Sequence, residues 1–339
     1  MSDARWLRPG GQEIPGYLSR LPRKRSLYAV DTYFRESFED LAAVGGGGCV
    51  EQFCHDHALL LVKPDAVVTR RLGMVLRWVL ANGFSIVWAA TVTIDRHGIR
   101  ALWQYGLNAA SRDRRDAADL YVTASECLLL LLALPGRPQP ASLVLSAAKG
   151  PADPRDCRPG QLRYDVGSIN YQLNLVHAAD EPADLLRELA VLCNSETRTG
   201  LYQRTLDRTD VPPSDGRSEA FALVDRLEAA TPAVDLELDQ TLSDLAAAAS
   251  TRDTGGSSAA ARELVSLICR VRGRRSRDWR RVVGLAESSG VPVSRWQRIV
   301  LATHLLDPYL PGTTSLLPDS PGGAWRGTSP GRDPEDVPR

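Results

Sequence analysis

The chain has 339 residues, 41 Lys+Arg against 41 Asp+Glu, 43% hydrophobic and 24% charged positions. That length is about two domains at ~150 residues each, and the composition excludes disordered, fibrous and low-complexity classes. Zero net charge removes any global steering toward nucleic acid or anionic lipid, and the longest apolar run, Cys127 to Leu134, is eight residues against the ~20 of a membrane span.

Residues 1–56 carry Pro9, Pro15, Pro22, the basic run Arg23-Lys24-Arg25, an apolar stretch from Tyr28 to Leu41 and four glycines at 45–48. They read as an N-terminal extension on a flexible linker. The first twenty residues mix arginines with Pro and Gly and show no apolar secretory region, which points to the cytoplasm.

From Ala58 to Val62 a continuous apolar run predicts a buried strand. Met74, Val75, Trp78 and Val79 then recur at helical spacing up to Asn82-Gly83, a C-terminal stop. Phe84 to Ile94 predicts a strand, Asp95 caps a helix carrying Ile99, Leu102 and Trp103, residues 109–126 are polar and ambiguous, and Cys127 to Leu134 is a third strand. A helix over 140–149 precedes a breaker-rich loop, Gly150-Pro151-Ala152-Asp153-Pro154 to Pro159-Gly160, long enough to be functional. A short strand, Leu173 to Val176, ends at His177, and a helix opens at Pro182.

This order predicts an α/β (α+β) domain over 57–193, a ferredoxin-like antiparallel sheet with covering helices. Amphipathic stretches at 218–230, 236–249, 258–272, 277–289 and 294–306 predict an all-helical region over 194–306, interrupted by a linker at 253–258. Proline and glycine dominate 307–339, which reads as a disordered tail.

Six cysteines lack framework spacing, so no disulfides are expected. Cys49, Cys54, His55 and His57 fit no common zinc pattern, and no protein-bound metal is expected. Seven arginines between Arg270 and Arg281, with Trp279, could grip phosphates; an exposed helix face explains them more simply, and nucleic acid is not an expected partner.

The chemistry concentrates in four collinear motifs. They are Lys63-Pro64-Asp65, the 150–154 loop, Pro159-Gly160-Gln161-Leu162-Arg163, and Asn174 to Asp180 around His177. A histidine at a strand end is by itself more often structural, and a lysine more often a solvated charge; only three lysines occur in the chain. Together the four motifs resemble nucleoside diphosphate kinases, over about residues 57–193.

The resemblance implies a phosphotransferase in which His177 takes the terminal phosphoryl group of ATP or GTP and passes it on. Neutral imidazole is a competent nucleophile near pH 7, and the rest of catalysis is positioning and charge. It implies Lys63 and Arg163 as phosphate cations, Glu188 as the carboxylate orienting His177, Asn174 at the sugar hydroxyls, and Mg2+ carried on the nucleotide phosphates. Ser146, Ala152 and Ala179 depart from the family pattern, where an arginine and two hydroxyls stand. Lys149 or Arg155 could compensate, and Tyr121 is a candidate for stacking on the base. No Gly-rich Lys-Ser/Thr loop occurs, which excludes a P-loop kinase.

The eroded contacts and added residues point to a nucleotide or specialised small-molecule acceptor. The alternative is a weakened nucleotide-binding scaffold that uses its helices for partners. Membrane association is not expected, and the sequence allows a homo-oligomer.

Overall fold

The computed structural model describes residues 13–207, 214–252, 259–317 and 323–325. Three helices come first, α1 (Pro22–Ala29), α2 (Thr32–Gly45) and α3 (Gly47–Asp56). Pro22 begins α1, where an α-helix leaves the N–H unpaired. Asp31 caps α2 by accepting from Phe34 N.

The four-glycine run is a helix–helix joint, not a flexible linker. Gly45 ends α2, Gly46 turns the chain at φ +77°, and Gly47 starts α3. Nor is the extension an appendage: Phe34, Phe38, Leu41, Val50 and Phe53 share one core with Leu59, Leu61, Leu129 and Leu131 of the sheet. The apolar stripe of residues 28–41 needs a partner surface, and the sheet supplies it.

Next come β1 (His57–Val62), α4 (Pro64–Val68), α5 (Leu72–Ala81), β2 (Ser85–Val92), α6 (Arg96–Leu102), α7 (Gln104–Leu107), α8 (Arg112–Val122), β3 (Cys127–Ala133), α9 (Ala141–Lys149), α10 (Leu162–Asp165), β4 (Val176–Ala178) and α11 (Pro182–Leu192). The strands form one sheet in the order β2-β3-β1-β4, every neighbour antiparallel, as a ferredoxin-like fold requires. Alternation places Leu59 and Leu61 on one face and Ala58, Leu60 and Val62 on the other, both covered by helices. Two-sided burial is why β1 and β3 are apolar without interruption. The short fourth strand starts later than its sequence suggests, because Leu175 has φ +69° and extended pairing cannot run through it.

The C-terminal helices are α12 (Ser195–Leu206), α13 (Ser214–Ala230), α14 (Leu238–Arg252), α15 (Ala259–Arg272), α16 (Trp279–Ser288) and α17 (Arg295–Leu305). They do not make a single unit. Helix α12 packs on α2, with Ser37 Oγ 2.7 Å from Tyr202 OH and Arg198 paired to Asp40 at 2.6 Å. Helix α13 covers the second sheet face with Ala220, Val224 and Leu227. Helices α14–α17 enclose a third core, sealed against α8 through Ala117.

The linker expected at 253–258 lies outside the described residues. The tail expected to be disordered from residue 307 is instead stitched down over 307–317: Ser111 N donates to Pro308 O at 3.1 Å, Leu310 N to Ala109 O at 2.9 Å and Leu316 N to Tyr105 O at 3.0 Å. Its apolar Leu317 is buried, which offsets the cost of ordering proline-rich chain. Residues 318–322 and 326–339 lie outside the described residues. No helix among the described residues is long and apolar enough to cross a membrane.

Candidate active site

A cavity of about 610 Å³ opens at the end of the sheet where β1 and β4 meet. Lys63, Tyr121, Lys149, Arg163, Asn174, His177 and Glu188 all line it, so the structure brings together seven of the eight side chains singled out in the sequence. Arg155 is the exception. Its side chain is 86% exposed and paired with Asp153 on the loop surface, because Asp153 caps the short turn at Pro154–Asp156 and holds the arginine outward.

His177 sits mid-β4, opposite Leu61 of β1. Its Nε2 lies 2.9 Å from Glu188 Oε2, two turns into α11. Its Nδ1 lies 3.4 Å from Trp103 Nε1, with the two rings edge to face. An indole N–H only donates and a carboxylate only accepts, so the pairing assigns the proton to Nε2 and the lone pair to Nδ1. Helix α11 is pinned by the N-terminal helices: Lys24 Nζ pairs with Asp184 at 2.7 Å and Glu181 at 2.9 Å, and Arg187 with Asp31 at 2.9 Å. Burial works against the Lys24 charge, yet Asp184 and Glu181 outweigh it and hold the ammonium above its ordinary pKa.

Lys63 follows β1 and caps α4, whose first residue is Pro64. Its Nζ donates to Gln172 O at 2.8 Å and Asn174 Oδ1 at 2.7 Å and lies 4.9 Å above the Tyr121 ring. Burial, aided by Arg163 and opposed by Asp65, pulls its pKa down to about 8. Tyr121 is buried beneath this ammonium, so the structure makes it a support for Lys63 in place of the expected stacking face for a base.

Arg163 is nearly buried and spends its N–H groups on the chain. It donates to Gly150 O at 2.9 Å, Val176 O at 2.7 Å and Asn174 O at 3.3 Å. It thereby ties the 150–154 loop to the strand bearing His177; burial lowers its pKa to about 10. Gly150 has φ +84°, a conformation that favours glycine, and a Cβ there would press on the Gln161 side chain. Asn174 accepts from Lys63 and gives its Nδ2–H to Tyr171 O at 2.8 Å.

At Ser146, where a phosphate arginine is absent, the hydroxyl donates to Asp180 Oδ1 at 2.6 Å, and Lys149 Nζ reaches the same oxygen at 3.2 Å. Burial favours the neutral acid, but Lys149, the Ser146 bond and His177 prevail and keep the Asp180 carboxyl below its ordinary range. Lys149 is therefore at the site but already partnered. Ala152 lines the cavity without a polar group, and Ala179 is buried in the core.

Sequence reasoning passed over Trp103, Arg114, Asp65 and Asp180. Asp65 and Asp180 each close a motif already in view; Trp103 and Arg114 give no signal of a site.

Elsewhere, three of the seven arginines in the arginine-rich stretch are paired with carboxylates: Arg280 with Asp113 and Asp116, Arg277 with Asp307, and Arg281 with Glu263. Cys54 is buried and His57 stacks on Phe53 at 4.5 Å. Among the described residues no group of three His, Cys, Asp or Glu could hold a metal ion.

The nucleoside diphosphate kinase family model matches residues 56–197. The nucleoside diphosphate kinase of Thermococcus kodakarensis is 30% identical over 138 residues, covering 40% of this chain and 74% of that protein. That of Cutibacterium acnes is 30% identical over 136 residues, covering 40% and 93%. Among solved structures, a halophilic nucleoside diphosphate kinase from Halobacterium salinarum in complex with CDP aligns over 41% of this chain and 89% of its own at 20% identity, with a TM-score of 0.36. Through its 56–197 segment the chain belongs to the nucleoside diphosphate kinase family, and its reaction class is that family's phosphotransfer.

Proposed function

We propose that the protein moves the terminal phosphoryl group of ATP or GTP through phospho-His177 to a nucleotide or specialised small-molecule acceptor. The single observation that carries this reading is the His177–Glu188 bond at 2.9 Å, which leaves Nδ1 as the nucleophilic nitrogen beside Trp103 on the cavity wall.

As Nδ1 forms its bond to the γ-phosphorus, the bond to the bridging oxygen breaks and the nucleoside diphosphate leaves. Glu188 accepts the Nε2 hydrogen bond and stabilises the charge that develops on the ring. Lys63 meets the charge on the transferring oxygens, Arg163 adds its positive charge while its N–H groups hold the Gly150 loop to the strand of His177, and the family resemblance gives Asn174 the sugar hydroxyls. The acceptor oxygen then attacks the phosphohistidine and the N–P bond breaks. Mg2+ carried on the triphosphate would add charge neutralisation; the cavity offers it no protein cage, so it fits as a companion of the nucleotide.

A specialised acceptor is favoured by Ser146, Ala152 and Ala179, which supply neither guanidinium nor free hydroxyl to an ordinary diphosphate. In this division the helices of 194–306 and the N-terminal segment build and support the 57–193 domain. Intact mass after incubation with ATP or GTP is the test. One added phosphoryl group, lost in His177→Ala, is expected; its absence overturns the reading and leaves the nucleotide-binding scaffold.

A further inference from the structure

We propose that Arg114 selects the nucleotide base, favouring guanine, and that the C-terminal segment positions it; this rests on the nucleotide reading above. Four cations besides Lys24 line the cavity: Lys63, Lys149, Arg163 and Arg114. The first three already donate to protein acceptors. Arg114 does not: among the described residues its guanidinium meets only rings, 5.1 Å from the Tyr171 centroid and 5.2 Å from that of Tyr309.

Arg114, Ala118 and Tyr121 lie along the cavity face of α8, at i, i+4 and i+7. Seven residues of helix separate the Lys63–Tyr121 end from Arg114 by about 10 Å. At that span along one cavity wall, a nucleotide held by its phosphates at Lys63 and His177 can bring its base to Arg114.

The fork is held in place from outside the family domain. Tyr309 OH is 2.8 Å from Tyr171 OH, and Tyr309 is fixed by its bridge to Ala110 and by Leu310 N donating to Ala109 O at 2.9 Å. A guanidinium edge offers paired donors. Guanine presents two acceptors side by side, O6 and N7, whereas adenine presents N7 beside an N6 donor. The fork matches the first and collides in polarity with the second. Arg114 is thus a specificity residue and Tyr309 a positioning residue.

The test uses the full chain, reading histidine labelling against concentration of GTP and of ATP, and calorimetric binding of GDP and ADP. Half-saturation by GTP at about tenfold lower concentration than by ATP is expected. Arg114→Ala should collapse that ratio toward one, and Tyr309→Ala should shrink it. Tyr309→Phe, which keeps the ring, should retain most of it, with an unchanged melting transition reporting the fold in each variant. Equal half-saturation of the unmodified protein, or an Arg114→Ala variant that weakens both nucleotides by the same factor, overturns the proposal. If neither nucleotide labels the protein, the phosphohistidine reading fails, and the GDP and ADP isotherms still decide the preference.

Discussion

Asp65 holds Leu175 in a left-handed conformation: its Oδ2 accepts the Leu175 N–H at 2.7 Å, while Lys63 N donates to Leu175 O at 2.8 Å. Leu175 has φ +69° and is fully buried, a combination that costs about 1–3 kcal/mol for a non-glycine residue. The strain lets Asn174 turn to Lys63 while His177 continues in β4. Asp65→Ala leaves a buried N–H without its partner, at about 1–3 kcal/mol. A lower denaturation midpoint is expected, with slower histidine labelling at temperatures where the variant is still folded. An unchanged midpoint would show that the turn is held by other means.

The ammonium of Lys63 ties the site to pH. Burial lowers its pKa to about 8, below the ~10.4 of a free lysine. Between those values the unfolded chain keeps a proton that the folded chain has lost, so this group's contribution to stability rises with pH across the window. Phosphate binding has the opposite dependence, since it needs the charged form and weakens as pH climbs past about 8. Nucleotide binding at pH values above that point should take up a proton. Calorimetry in two buffers of different ionisation enthalpy reads it, and Lys63→Met should abolish it. Proton-neutral binding by the unmodified protein would refute the assignment.

Glu188 acts on His177 at a distance of one hydrogen bond. Glu188→Ala removes the acceptor that fixes the tautomer, and the proton is then free to move to Nδ1, the nucleophilic position. The labelling rate should fall roughly ten- to a hundredfold, the scale seen when an outer carboxylate that orients an imidazole is removed, while nucleotide half-saturation changes little. A variant that labels at the parental rate would mean that Trp103 alone sets the ring.

Ser146 lends itself to a gain-of-function measurement. Its hydroxyl is spent on Asp180, and no arginine stands there for a diphosphate. Turnover with ATP and a panel of nucleoside diphosphates should lie well below that of a dedicated family member. Ser146→Arg should raise it, because the new guanidinium would meet the acceptor phosphates from the α9 wall. Housekeeping-level rates in the unmodified protein would sink the case for a specialised acceptor.

The parts of this arrangement that the sequence announced are those whose physics is local. Strands β1 and β3 are buried on both faces, and their runs of leucine say so without a partner in view. Helix α8 stayed ambiguous because its buried stripe is two alanines, a tyrosine and a valine under five charged residues at 112–116. The start of β4 is not legible locally, because the left-handed turn at Leu175 depends on Asp65, 110 positions away. The contact between Tyr171 and Tyr309 spans 138 positions, and proline content alone read the segment around Tyr309 as unstructured. Motif order carried the active site; tertiary contacts decided that Tyr121 supports Lys63 and that Arg155 faces solvent.

The dependence of the sheet on α13 gives the last prediction. Strand β2 is an edge strand with a bulge between Ile86 and Trp88, and α13 presses on it there. Gly216 makes the approach possible: a Cβ at this position would lie 2.4 Å from Ile86 O and 2.7 Å from Val87 C, both backbone atoms that cannot swing away. Below the contact, Ala220, Val224 and Leu227 bury the sheet face that carries Ile86, Leu130 and Leu132. Gly216→Ala should therefore cost about 1–3 kcal/mol by overpacking, although alanine is the better helix former by ~1 kcal/mol. Truncation after Cys193 removes the helix altogether, leaving this face in water, and cooperative unfolding should be lost. Truncation after Leu305 spares α13 and removes Tyr309, so a cooperative transition should persist while the base preference falls. A chain ending at Cys193 that unfolds cooperatively at the parental midpoint would show that α13 is dispensable to the sheet.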